Sequence, residues 1–136
     1  MQKLILLIDD DKDFGILLKR NLELVGYYRV ATATSGHEGI ETAQSMNPDL
    51  ILLDINMPGM NGLEVLEKLM LGKETSKIPV MMLTALDDDI SKIKATNLCM
   101  KGYITKPIKF SALEAKIDEF FKYKDRGHSY NKEKYR

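Results

Sequence analysis

Polar side chains follow three apolar runs and one short predicted strand of the chain, each at the point where it ends. They are Asp9 and Asp10 after residues 4–8, Asp54 after residues 50–53, Thr84 after residues 78–83, and Lys106 after residues 103–105. A carboxylate directly after a fully apolar run is costly to bury unless a cation or a hydrogen-bond donor meets it. These five side chains are therefore the first candidates for chemistry.

The five side chains would suit phosphoryl transfer if they met at one place. Three carboxylates packed together repel one another and need a hard divalent cation. Mg²⁺ fits best, because it accepts a few carboxylate or carbonyl oxygens and keeps its waters for a phosphate ligand. Lys106 offers a point charge for a phosphoryl oxygen, and Thr84 offers a hydroxyl donor. The set indicates Asp54 as a nucleophile that forms an aspartyl phosphate.

The elements that must position these side chains alternate between strand and helix five times. The apolar runs at 4–8, 50–53 and 78–83 predict strands buried on both faces of a parallel sheet, and residues 28–32 and 103–105 predict two shorter strands. This alternation predicts an α/β fold, a doubly wound five-stranded parallel sheet with helices on both faces. The carboxyl ends of such strands lie along one edge, where ligands bind.

Five helices are predicted between and after the strands. The first carries Phe14, Leu17, Leu18 and Leu22 and ends near Gly26, and the second covers residues 36–46. The third runs from Leu63 to Met70 and ends near Gly72, and the fourth carries Ile90 and Ile93 and is capped by Asp87 to Asp89. The last helix is lined by apolar residues from Phe110 to Phe121. Ser111 and Glu114 have the spacing of a capping box for the last helix.

Length and composition predict one cytoplasmic domain. The 136 residues suffice for one packed core, and 20 basic residues balance 20 acidic ones, so there is no general attraction to nucleic acid or to an anionic membrane. The single cysteine, Cys99, excludes an internal disulfide and suits a reducing compartment. We expect a domain over residues 1–126 and a flexible polar tail over 127–136.

The chain resembles a response-regulator receiver domain of two-component signalling, of the chemotaxis-regulator-like kind, over residues 3–125. The resemblance rests on five features in the right order: Asp9-Asp10, the segment ILLDINMPGMNG around Asp54, Thr84-Ala85, Tyr103, and Lys106-Pro107. It implies a flavodoxin-like strand order 2-1-3-4-5, which the alternation of elements alone leaves open.

The resemblance also implies a role for each site residue. Asp54 would accept phosphate from a histidine kinase or a phosphotransfer protein. Side chains of Asp10 and Asp54 and the main-chain carbonyl of Asn56 would bind Mg²⁺, with Asp9 acting mainly through a metal-bound water. Thr84 and Lys106 would contact the phosphoryl oxygens, and the peptide bond before Pro107 would be cis.

The output implied by the resemblance is a switch in partner binding. Thr84 and Tyr103 would move together after phosphorylation and alter the face formed by the fourth helix, the fifth strand and the fifth helix, where a downstream target protein docks. Such a domain catalyses only its own phosphorylation and dephosphorylation. The chain departs from the usual pattern at Cys99 and Met100, where receivers carry Gly-Ala, so the turn after the fourth helix is expected to differ.

Two other functions compete with the switch. A phosphatase of the haloacid-dehalogenase kind needs a second acid two residues after the nucleophile, and that position is Asn56. A flavodoxin-like flavin-binding module needs a phosphate-binding loop after the first strand, where Asp9 and Asp10 would repel phosphate. Met1 and the polar tail favour a stand-alone receiver, with a fragment of a larger regulator as the open alternative.

Overall fold

A five-stranded parallel sheet forms the centre of the computed structural model, which describes residues 2–84 and 102–125. Its strands are β1 (Lys3–Ile8), β2 (Tyr28–Ala33), β3 (Leu50–Asp54), β4 (Val80–Thr84) and β5 (Gly102–Thr105). The strand order is β2-β1-β3-β4-β5, and all four strand pairs are parallel. This confirms the predicted sheet.

Four α-helices lie in the described part of the chain. They are α1 (Lys12–Leu24), α2 (Gly36–Met46), α3 (Gly62–Leu71) and α4 (Phe110–Asp125), with a 3-10 turn at Thr75–Lys77 before β4. The predicted helix with Ile90 and Ile93, its cap at Asp87 to Asp89, and Ala85, Cys99 and Met100 lie outside the described residues, as does the tail. Within residues 2–84 and 102–125, no helix has the length and apolar character needed to cross a membrane.

Side-chain caps start the three helices that follow β1, β2 and β3. Asp11, Ser35 and Asn61 each accept a hydrogen bond from the backbone N–H three residues later, at 3.0–3.2 Å. Each cap supplies a partner for a donor that the first helical turn leaves unpaired. The helices therefore begin within a few residues of the strand ends at which the candidate site lies.

The predicted capping box at Ser111 is wrong. The last helix already begins at Phe110, and the N–H of Leu113 donates to the carbonyl of Lys109 at 3.0 Å. Ser111 therefore lies in the first turn rather than before it. The Phe110 ring stacks on Phe14 at 6.1 Å between centroids, and this packing fixes an earlier start than the spacing of two polar residues suggests.

The core consists of two apolar layers, one on each face of the sheet. The first layer packs α2 and α3 against the sheet, and the second packs α1 and α4 against its other face. All five residues of β3 are buried. A strand at the centre of such a sandwich must be apolar throughout, so Asp54 is an exception that requires a chemical explanation.

Helix α2 approaches β1 so closely that Gly39 cannot be replaced by a larger residue without strain. A Cβ built on Gly39 would lie 2.6 Å from Cδ1 and 2.8 Å from Cγ1 of Ile8. Ile8 is fully buried at the end of β1, directly before Asp9. By contrast, a Cβ on Gly15 of α1 would have its nearest neighbour, in Thr32, at an ordinary 3.6 Å.

We expect opposite effects from two matched glycine substitutions. Gly39→Ala should lower the free energy of unfolding by about 1–3 kcal/mol, because the new methyl group overpacks the contact with Ile8. Gly15→Ala should raise it by about 0.5–1 kcal/mol, because alanine favours a helix interior more than glycine does. Urea unfolding measures both. Equal effects of the two substitutions would contradict the close approach of α2 to β1.

Candidate functional site

Three carboxylates lie together at the carboxyl edge of the sheet. Asp9 follows β1 and Asp54 ends β3, and because Ile8 pairs with Leu53 the two acids occupy neighbouring strand ends. One carboxylate oxygen from each of Asp9, Asp10 and Asp54 lies within 4.8 Å of the others. Asp9 and Asp54 are each only 2% exposed, whereas Asp10 is exposed.

Lys106 is the cation that faces this acidic cluster. Its Nζ lies 3.1 Å from Oδ1 of Asp54 and 3.4 Å from Oδ2 of Asp9. Its backbone N–H donates to the carbonyl of Thr84 at 2.6 Å, and its peptide bond to Pro107 is cis. The ammonium also lies 5.8 Å from the ring centroid of Phe14, so an aromatic face and two carboxylates hold it over the cluster.

The charges of the cluster are only partly balanced. The pKa of Asp54 is raised from 3.8 to about 6: burial is the largest cause, the negative charge of Asp9 acts in the same direction, and Lys106 and the N–H of Asn56 oppose both. Burial also acts to lower the pKa of Lys106, but Asp54 and Asp9 outweigh it and raise that pKa above its usual value. Lys106 therefore stays protonated, while part of the negative charge lacks compensation.

The loop after β3 brings backbone atoms close to Asp54. The N–H of Asn56 donates to Oδ1 of Asp54 at 3.3 Å, and the N–H of Gly62 donates to the carbonyl of Ile55 at 2.9 Å. A Cβ on Gly62 would lie 2.3 Å from the carbonyl oxygen of Asp54. Only glycine fits there, so Gly62 lets α3 begin against the backbone of Asp54.

The two predicted switch residues lie on β4 and β5, beside the cluster. Asp54 pairs with Leu83, so Thr84 lies one residue further along the neighbouring strand, where it is completely buried. Tyr103 pairs with Met82 and is half-buried against the α2–α3 layer of the core. The chain thus places Thr84 between the acidic cluster and the strand that carries Tyr103.

Sequence reasoning missed two residues that contact or shape the site. Phe14 fits the apolar side of a predicted helix, and Gly62 belongs to the segment ILLDINMPGMNG without a role of its own there. An aromatic residue in the first turn after an acidic strand end carries no signal for contact with a lysine about ninety positions away. Gly62 could have been found, because glycine is the usual residue where the backbone must approach another group closely.

The donor set fits a hard divalent cation. Its members are carboxylate oxygens, which magnesium and calcium prefer over nitrogen or sulfur ligands. Among the described residues, three carboxylates meet the one ammonium of Lys106, so the ionised cluster keeps an excess of negative charge. A doubly charged cation held by these oxygens would remove that excess.

A family model described as the response regulator receiver domain matches residues 5–118. The alkaline phosphatase synthesis transcriptional regulatory protein PhoP of Bacillus subtilis is 37% identical over 117 residues, which are 86% of this chain and 48% of PhoP. The master transcriptional regulator RpaA of Synechocystis is 37% identical over 122 residues, 90% of this chain and 50% of RpaA. The chain thus spans about half the length of the curated relatives it matches.

Among solved structures, the chemotaxis protein CheY4 of Vibrio cholerae is similar, with a TM-score of 0.79 and 26% identity. The match covers 88% of this chain and 98% of CheY4.

Metal-free protein should become more stable when Asp54 is neutralised. The pKa of Asp54 is higher in the folded state than its ordinary 3.8, so its protonation favours folding below about pH 4, and this benefit is lost as the pH rises through about 6. The free energy of unfolding of Asp54→Asn should therefore exceed that of wild type by about 3 kcal/mol at pH 8. At pH 4.5 the difference should be about a third as large.

Chemical unfolding in the presence of a chelator measures this difference. Glu67→Gln, which neutralises an exposed acid on α3, is the control and should show no such gain. A gain for Asp54→Asn that is independent of pH would contradict the electrostatic explanation.

Proposed function

This chain belongs to the response regulator receiver domain family, and on that premise we propose that it is a phosphorylation switch with Asp54 as the phosphoacceptor. One observation carries the proposal: a carboxylate with only 2% exposure ends the central strand and lies 3.1 Å from Lys106. A buried acid with a raised pKa beside a fixed cation is typical of a reactive group.

The proposed reaction forms and breaks one phosphorus bond. An oxygen lone pair of the ionised Asp54 carboxylate attacks the phosphorus of a phosphohistidine on a kinase or a phosphotransfer protein. The P–N bond breaks, and its electron pair stays on the imidazole nitrogen. Hydrolysis then resets the switch. Water attacks the phosphorus of the acyl phosphate, the P–O bond to Asp54 breaks, and inorganic phosphate leaves while a proton passes to solvent.

The residues around Asp54 support this step. With a pKa of about 6, Asp54 is largely ionised at neutral pH and is a stronger base than an ordinary aspartate. Lys106 is placed to attract a phosphoryl oxygen once it turns from Asp54, and it remains charged because its own pKa is raised. Charge stabilisation and positioning supply most of the catalysis in phosphoryl transfer.

We propose Mg²⁺ as the cation of the acidic cluster. Asp10, Asp54 and the main-chain carbonyl of Asn56 would hold it, and Asp9 would add negative charge from its buried position. When bound, Mg²⁺ supplies positive charge for the oxygens of the phosphoryl group. Asp10 is exposed at the rim of the cluster, so its carboxylate can reorient toward an arriving ion at little cost in packing.

Phosphorylation would be read out through Thr84 and Tyr103. A phosphoryl group on Asp54 gains a hydrogen bond if the hydroxyl of Thr84 moves toward it, and Tyr103 can then rotate inward to fill the vacated space. One charge-assisted hydrogen bond contributes about 1.5–3 kcal/mol. That energy shifts a two-state equilibrium by about 10- to 150-fold.

The proposed output is a docking face for a downstream protein. It comprises β5, α4 and the predicted helix that lies outside the described residues. Two relatives of this chain are named transcriptional regulators, but the balanced charge of these 136 residues gives them no general attraction to nucleic acid. We therefore propose a protein partner for this part of the molecule.

Neither competing function gains support from the site. Asn56 is exposed and its N–H donates to Asp54, and an amide side chain cannot exchange the proton that a phosphatase acid must supply. In a flavin site the loop after β1 would offer N–H groups to a phosphate, yet here the N–H of Asp11 donates to the carboxylate of Asp9 at 3.0 Å.

Asp54→Asn should abolish phosphate uptake from acetyl phosphate in the presence of Mg²⁺. Wild type should gain one phosphate that is stable to acid and labile to base, as measured by intact mass before and after treatment at high pH. Asp13→Asn, which removes an exposed acid from the first turn of α1, is the control and should be phosphorylated like wild type. Uptake by Asp54→Asn at the wild-type rate would refute the assignment.

Thr84→Ala should separate phosphorylation from readout. It should still take up phosphate, because the nucleophile and Lys106 remain, but Tyr103 should respond poorly to beryllofluoride, a mimic of the acyl phosphate. Thr105→Ala alters the exposed partner of Thr84 in the β4–β5 pairing and should respond fully. NMR chemical shifts of Tyr103 measure the response. A complete response in Thr84→Ala would rule out the coupling while leaving the phosphoacceptor assignment intact.

A further inference from the structure

Lys116 of α4 contacts Tyr103 in two ways. Its Nζ donates a hydrogen bond to the main-chain carbonyl of Tyr103 at 2.9 Å. The same nitrogen lies 5.7 Å from the centroid of the Tyr103 ring, within the range in which a cation is attracted by an aromatic face. One ammonium thus engages both the backbone and the side chain of the proposed switch residue.

This contact connects the two faces of the sheet. Leu113 and Ile117 of α4 belong to the apolar layer that α4 forms with α1 on one face of the sheet. Tyr103 packs against the α2–α3 layer on the other face. Strand β5 lies at an edge of the sheet. The side chain of Lys116 therefore passes around this edge to reach the ring.

Gly102 leaves room for the passage of the lysine side chain. Among the described atoms, a Cβ on Gly102 would meet Cε of Lys116 at 3.4 Å and Nζ at 3.8 Å. A larger side chain at position 102 would compete with the lysine for this space. The glycine before Tyr103 and the lysine on α4 thus form one local arrangement.

We propose that Lys116 is a positioning residue that holds Tyr103 in its half-buried place and opposes its inward rotation. This regulatory role rests on the proposed function, in which the rotation of Tyr103 reports phosphorylation. The hydrogen bond to the carbonyl anchors the ammonium on β5, and the attraction to the ring favours the ring position seen in the structure. Inward rotation withdraws the ring from the cation.

The expected size of the effect is modest. An exposed cation–π contact shifts an equilibrium by about two- to fivefold. Removing it should raise the ratio of inward to half-buried Tyr103 by that factor. Because a ligand that binds only the active state gains apparent affinity in proportion to the population of that state, beryllofluoride should bind about two- to fivefold more tightly.

The test uses the full chain labelled with 3-fluorotyrosine, with the Tyr103 resonance identified by its absence in Tyr103→Phe. The beryllofluoride concentration that gives half of the Tyr103 response, with Mg²⁺ in excess, is measured for wild type, Lys116→Met, Lys116→Arg and Lys122→Met. Lys122 is exposed on the same helix, so Lys122→Met controls for the loss of a charge. Arginine keeps the cation and its donors.

Lys116→Met should show a half-response concentration about two- to fivefold below that of wild type, while Lys116→Arg and Lys122→Met should match wild type. Simple electrostatics predicts the opposite sign for Lys116→Met, because losing a positive charge weakens the binding of an anion. Weaker or unchanged binding by Lys116→Met, or equal tightening by Lys122→Met, would overturn the proposal. Failure of the switch itself would differ, since Tyr103 of wild type would then not respond to beryllofluoride.

Discussion

The charge imbalance at the carboxyl edge of the sheet is the constraint on which the rest of the site depends. Asp9 and Asp54 are almost completely buried, Asp10 lies beside them, and Lys106 is the cation that the described residues bring into contact with the buried pair. Such a cluster is costly in a protein that only has to fold. The proposed function gives this cost a reason, because a bound divalent cation would offset the negative charge and would let a phosphoryl group approach Asp54.

Close packing around the site keeps the buried carboxylates in place despite the charge imbalance. Every residue of β3 is buried between two apolar layers, so Asp54 cannot retreat to solvent without disrupting the core. Gly62 allows α3 to begin within contact of the Asp54 backbone, and Gly39 lets α2 lie against Ile8, next to Asp9. Close packing on both sides holds the carboxylates near each other despite their repulsion.

The positions of the candidate site residues could be predicted because each lies at the end of a predicted strand, and parallel strands bring such ends to one edge. The strand order came only from the family resemblance, since alternation of elements is compatible with several orders. Contacts around the edge of the sheet, such as that of Lys116 with Tyr103, leave no periodic trace in the sequence. Leu17 shows the same limit: it fits the helical pattern of α1 yet is 48% exposed, because only part of that helix face meets the sheet.

The most direct test of this account is the titration of Asp54 in metal-free protein. The ¹³C chemical shift of its side-chain carboxyl can be followed by NMR from acid to neutral pH, with Asp54→Asn to identify the resonance. A midpoint at about pH 6 is expected if burial and Asp9 leave the charge under-compensated. A midpoint near the ordinary value of 3.8 would show that Lys106 and the backbone already balance the cluster, and would contradict the central claim.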